Sequence, residues 1–173
     1  GDATAASFSG DSTLAIADFV WRWAPQGNPR HRNLKLQSEF FYRDESGDLA
    51  VNEGAAAGLL DYDGTQKGWY AQAVYQFVPH WRLGLRYDWL SADNDLAAPD
   101  LGGFADADAP VAASGLDSDG HDPQRWSGML DWSPSEFSRL RLQFARDESS
   151  SDADNQIILQ YVLSIGAHGA HTF

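Results

Sequence analysis

Along seven separate stretches of this chain, large apolar side chains alternate one for one with polar or small ones. A period of two is the signature of a β-strand, whose successive side chains leave opposite faces. In "TLAIADFVWRW" the apolar face is Ala15, Ala17, Phe19, Trp21 and Trp23, set against Asp18 and Arg22. In "WYAQAVYQFVPHWRLGLRYDW" it is Trp69, Ala71, Ala73, Tyr75 and Phe77, then Trp81, Leu83, Leu85, Tyr87 and Trp89 after a pause at Val78-Pro79-His80. The pattern predicts strands near 13-24, 33-43, 68-78, 80-90, 125-133, 138-147 and 155-173, and the fold class is all-β.

Alternation alone fits two environments. A soluble sheet hides its apolar face, whereas a transmembrane barrel shows that face to lipid. No apolar run approaches the ~18 residues of a helical span, so any membrane crossing uses strands. Aromatic residues gather at the ends of the apolar strips, as in Trp69 and Phe77, Trp81 and Trp89, and Trp126 and Trp132. This matches the girdles of an outer-membrane barrel, since a soluble core would put its bulk in the middle. The opposite face carries full charges in mid-strand, among them Glu39, Arg86 and Arg141. Such charges suit a water-filled lumen and also the wet outside of a soluble sheet.

The connections discriminate further. They are short at "VPH" and "SPSEF", intermediate at "APQGNPRHR", and long at 44-66, 91-124 and 148-154. Short periplasmic turns alternating with long extracellular loops are the habit of outer-membrane barrels. The long connections and the leading segment hold most of the 25 acidic residues, eight of them aspartates between Asp93 and Asp122. The net charge of −13 argues against a nucleic-acid partner. The absence of cysteine excludes disulfides and thiolate metal sites. "GDATAASFSGDS" lacks the basic and apolar regions of a signal peptide, and seven strands is an odd number. The expectation is a transmembrane antiparallel up-and-down β-barrel of which this is the C-terminal part, closed by strands from upstream sequence or partner chains.

The segments "ADFVWRWAPQGNPRHRNLKLQSEFFYRDESG", "GWYAQAVYQFVPHWRLGLRYDWL", "DWSPSEFSRLRLQFARDES" and "QYVLSIGAHGAHTF" resemble the C-terminal region of a family of porin-like proteobacterial outer-membrane proteins. Members of that family are often labelled zinc-regulated TonB-dependent outer-membrane receptors. The resemblance implies an outer-membrane location and a single barrel longer than this chain. It also implies that Phe173 serves as the terminal aromatic signal read by the barrel-assembly machinery. Outer-membrane lipid and lipopolysaccharide are then the surroundings, with TonB a partner under the receptor reading.

The candidate pore-lining residues are Arg22, Lys35, Glu39, Arg82, Arg86, Asp88, Asp131, Arg139 and Arg141. A basic wall concentrates anions and disfavours cations. The competing reading is that these arginines pair with Asp18, Glu39, Asp88 and Asp131 and only hold the wall together. In "LDSDGHD", Asp117, Asp119, His121 and Asp122 surround Gly120 and offer oxygen and imidazole donors for calcium or zinc, against the plainer reading of an acidic solvated loop. His168 and His171 lie three apart, on opposite faces of an extended strand, and do not form a zinc pair without a bend. No nucleophile elbow, Walker loop or isolated carboxylate pair is present, so no enzyme and no resident cofactor are expected. The function expected is passage or uptake of small solutes or ions across a bacterial outer membrane. A TonB-dependent receptor for a metal or metal complex, and a non-transport scaffold subunit, stand as alternatives.

Overall fold

The computed structural model describes residues 5–116, 120–150 and 152–165. In chain order the elements are β1 (Ala5–Trp23), β2 (Asn33–Glu53), β3 (Ala56–Val78), β4 (Trp81–Asp100), α1 (Asp108–Ser114), β5 (Gln124–Ser135), β6 (Ser138–Glu148) and β7 (Asp154–Leu163). The seven strands form one antiparallel up-and-down sheet in the order β1-β2-β3-β4-β5-β6-β7, so the all-β expectation holds. The sheet is not closed, and β1 and β7 are its edges among the described residues.

Turn chemistry explains how neighbouring strands reverse. Between β3 and β4, Pro79 supplies a fixed φ near −65° and His80 takes φ 71°, the left-handed position of a type II turn. A non-glycine residue pays roughly 1 kcal/mol or more for that conformation. His80 offsets the cost through Nδ1, which lies 2.7 Å from the carbonyl oxygen of Ser133, while Ser133 donates its N–H to the His80 carbonyl at 2.9 Å. His80 thereby fastens the β3–β4 turn to β5. Between β2 and β3, Gly54 with φ 59° provides the tight reversal.

The chain groups into two compact units. The first comprises Gly1–Ala17, Glu39–Trp69 and Trp89–Pro123; the second comprises Asp18–Ser38, Tyr70–Asp88 and Gln124–Phe173.

The first unit corrects two sequence expectations. Residues 44-66, expected as a loop, are strand on both sides of a turn at residues 54–55. Residues 91-124, expected likewise, begin with the end of β4 and contain α1. The physical reason is a second alternation hidden among the acidic residues. Leu49, Val51, Leu60 and Tyr62 are buried together on one face, while Asp48, Asn52, Asp61 and Asp63 stand exposed on the other. Leu96 and Ala98 of β4 pack against this cluster, as do Phe104, Val111, Ala113 and Leu116 of the helical segment. Acidic side chains on a hydrated face cost little once the opposite face is covered. The short helix starts where Asp106 accepts the Ala109 N–H at 3.0 Å and stops at Gly115 with φ 68°.

Tyr62 carries a testable consequence. Its hydroxyl donates to Asn94 Oδ1 at 3.2 Å and accepts from Gln66 Nε2 at 3.1 Å. Burial, reinforced by the Glu45 carboxylate, pushes the phenol above its ordinary value of 10.0. The folded state thus holds that proton more tightly than the unfolded chain does. The associated stability is fully present below the ordinary phenol range and is lost as pH rises through the raised value. A phenolate absorbance titration should show one tyrosine ionising later than the rest, and Tyr62→Phe should remove that late step; an unchanged profile would refute the burial argument.

The second unit distributes its side chains the other way. Its buried residues include Gln76, Asp131 and Ala145, whereas Leu85, Leu142, Ile157 and Leu159 are 63%, 50%, 78% and 70% exposed. The register across β5, β6 and β7 aligns Leu130, Leu142 and Leu159 in one row, and Trp132, Leu140 and Tyr161 in another. Trp81 stacks on Trp132 with ring centroids 6.0 Å apart, and Tyr87 meets Trp126 at 4.4 Å. These two aromatic pairs bracket the leucine rows of β4 and β5. Strand β7 is described to Leu163, so the stretch 166–173, with His168, His171 and Phe173, lies outside the described residues.

Candidate functional site

Opposite the apolar face of the second unit is a face of charged and amide side chains. Strand alternation puts Gln72 and Gln76 of β3, Arg82, Arg86 and Asp88 of β4, Arg125 and Asp131 of β5, and Arg139, Arg141 and Gln143 of β6 on it. Gly84 belongs to the same face and makes room there: a Cβ at that position would come 2.5 Å from Met129 Cε.

Three ion pairs organise the face. Arg86 donates from Nε to Asp88 Oδ1 and Oδ2 at 2.8 and 2.9 Å, and from Nη2 to Oδ1 at 2.6 Å. Its guanidinium lies 3.9 Å from the centroid of the Tyr70 ring, whose hydroxyl accepts a 2.9 Å bond from Gln37 Nε2. One strand further on, Asp131 and Arg141 stand directly opposite in the β5–β6 ladder. Arg141 donates from Nε to Oδ1 at 2.6 Å and from Nη2 to Oδ2 at 3.0 Å. Asp131 is 2% exposed, so this fork-to-carboxylate bond is shielded from water on the acid's side. Arg125 pairs with Asp147 at 3.2 Å and donates to Gln156 Oε1 at 3.0 Å.

The remaining candidates behave differently. Among the described residues, Arg22, Lys35 and Arg139 have no ion pair, and Arg82 has a single 3.4 Å bond to Gln76 Oε1. Asp18 and Glu39, expected as counter-charges, form no ion pair among the described residues. Of the six cations expected from the sequence, structural pairing therefore accounts for two, Arg86 and Arg141. The four other cations need another explanation. Arg125 belongs with the site and was not among the candidates, although the alternation of Trp126 and Trp132 already puts it in phase with Ser127 and Asp131.

Two cavities open on this face. One of about 470 Å³ is bounded by Gln72, Arg86, Asp88, Arg125, Met129 and Gln143. The other, of about 910 Å³, is bounded by Arg22, Lys35, Arg82, Asp131, Arg139 and Arg141. Of the residues expected to ligate a metal, Asp117 and Asp119 lie outside the described residues, and His121 and Asp122 are exposed. Among the described residues, no group of three or more acidic or imidazole side chains converges as a metal site.

Fold and site together define an all-β protein, a single antiparallel meander sheet whose second unit has one apolar, exposed face and one charged face. An uncharacterized protein of Aquifex aeolicus (strain VF5) is similar to it, with 28% identity over 149 residues. That alignment covers 83% of this chain and 28% of the other, so the chain spans little more than a quarter of that relative's length. No protein-family model and no solved structure matches the chain.

Proposed function

We propose that this chain forms part of an outer-membrane β-barrel, a porin-like channel through which small solutes or ions, preferentially anions, cross a bacterial outer membrane. The observation that carries the reading is the inverted burial of the second unit, with leucine and isoleucine outside and carboxylate, amide and guanidinium groups inside. In water such an arrangement exposes a continuous apolar strip, whereas against lipid it is the stable one. Strands β5, β6 and β7 have 12, 11 and 10 residues, close to the ~9–11 that a tilted strand needs to cross the hydrocarbon. Trp81 and Trp132 mark one interface. Tyr87 and Trp126 mark the other, where Tyr87 donates to Gln124 and Arg146 pairs with Glu148 at 2.6 Å.

The edges give a second argument. Strand edges left unpaired in hydrocarbon cost several kcal/mol per group, so β1 and β7 require partners in the membrane. Further strands, from the same protein or from partner chains, close the barrel around the charged face. The resemblance to the C-terminal region of porin-like outer-membrane proteins supports the same reading. It implies lipopolysaccharide around the outer half. The proposal assigns no catalytic step and no resident cofactor to the chain.

Single-channel recording of the full-length protein in planar bilayers tests this. The expected result is an open pore with a reversal potential shifted toward the anion, and a smaller shift after Arg82→Gln and Lys35→Gln together. A full-length protein that stays soluble without detergent and gives no conductance would sink the proposal.

A further inference from the structure

We infer that the end of the charged face nearest the short turns holds a binding site for a phosphate-class dianion, either inorganic phosphate or a phosphate monoester. The inference rests on the channel reading and names what the channel selects. The cavity of about 910 Å³ at that end is bounded by five cations, Arg22, Lys35, Arg82, Arg139 and Arg141, and one carboxylate, Asp131. Asp131 is already engaged by Arg141 through both oxygens. Among the described residues, four positive charges are left without an ion pair, in a chain whose net charge is −13. Such a concentration of like charge is self-repelling when empty and is relieved by a multivalent anion.

A buried donor supplies independent support. Arg139 Nε is shut off from solvent and has no acceptor among the described residues. Buried N–H groups without a partner are rare because each costs ~1–3 kcal/mol. Arg139 and Arg82 also bound a second cavity of about 390 Å³, where Ser133, Ser135, Ser138 and Ser164 add hydroxyls beside a single carboxylate, Glu136. Arginine forks and hydroxyl donors around one space suit a tetrahedral oxyanion, whose several oxygens accept in different directions. A single halide has no use for so many donors.

A dissolved phosphate and a phosphorylated lipid headgroup share this chemistry. The site is on the face opposite the apolar strip, which favours the dissolved species.

The test is calorimetric titration of the full-length protein in a maltoside detergent, with inorganic phosphate added against a chloride background. Saturable binding is expected, with Arg139→Gln weakening it roughly tenfold or more. Arg82→Gln, at an exposed position, should weaken it in the same direction should Arg139→Gln fail to fold. Arg146→Gln, on the other face and paired with Glu148, should leave it unchanged. No saturable heat from the unaltered protein, or an affinity unchanged from it in both arginine variants, would overturn the inference. Uptake of a phosphorylated lipid from mixed micelles without binding of inorganic phosphate would overturn it too. An anion-selective pore that binds no phosphate defeats this site and leaves the channel standing. A protein that binds phosphate and conducts nothing defeats the channel and leaves the site.

Discussion

Asp131→Ala is expected to lower the unfolding free energy by roughly 3–5 kcal/mol, because it strips the partner from a guanidinium held in a partly buried setting. The magnitude follows from the asymmetry of the pair. Asp131 is nearly sealed, and Arg141 retains 26% side-chain exposure, so water can compensate the arginine only in part. Replacing both partners with leucines of comparable volume should recover much of the loss, since neither buried charge then remains. Urea unfolding of the detergent-folded protein, followed by tryptophan fluorescence, reads both effects. A single-variant loss below about 1 kcal/mol would show the pair to be worth no more than a surface salt bridge.

Leu142→Arg separates the two environments that alternation alone leaves open. Leu142 is in the row with Leu130 and Leu159, between the two aromatic levels, and is half exposed. Against lipid at that depth an arginine costs about 2–4 kcal/mol. On a water-facing sheet the same change stays within about 0.5 kcal/mol. Equilibrium unfolding from lipid vesicles should therefore show a large loss for Leu142→Arg. Gln143→Arg, one residue along and on the charged face, should show little. Equal and small effects at both positions would place the apolar face in water and remove the basis of the membrane proposal.

The strands of the second unit were legible because their pattern is unbroken: Trp81, Leu83, Leu85 and Tyr87 alternate with Arg82, Gly84, Arg86 and Asp88 without a slip. The hairpin through Leu49, Val51, Leu60 and Tyr62 was not, although it obeys the same period. Its exposed face is acidic and its turn is glycine- and alanine-rich, so local composition reads as loop until the covering residues of α1 are known. The candidate residues on the charged face could be named from phase alone. Which of them pair could not, because pairing depends on register between strands. Asp131 meets Arg141 only because those two positions face each other across the ladder, whereas Arg139, two residues earlier, aligns with Val162 on its other side. His80 shows a third limit. Its role comes from a backbone angle and a carbonyl on strand β5, neither of which leaves a mark on sequence pattern.

The meander order has an evolutionary corollary. Every strand pairs only with its neighbours in the chain, and the ion pairs obey the same locality. Arg86 and Asp88 share a strand, while Asp131 with Arg141, and Arg125 with Asp147, share one hairpin. The β5–β6 hairpin thus carries its own electrostatic fastening and leans on no distant segment for it. Closing it costs only the entropy of a short loop. Such a unit can be duplicated or deleted without orphaning charges elsewhere in the sheet, making strand number an easily changed variable in proteins built this way.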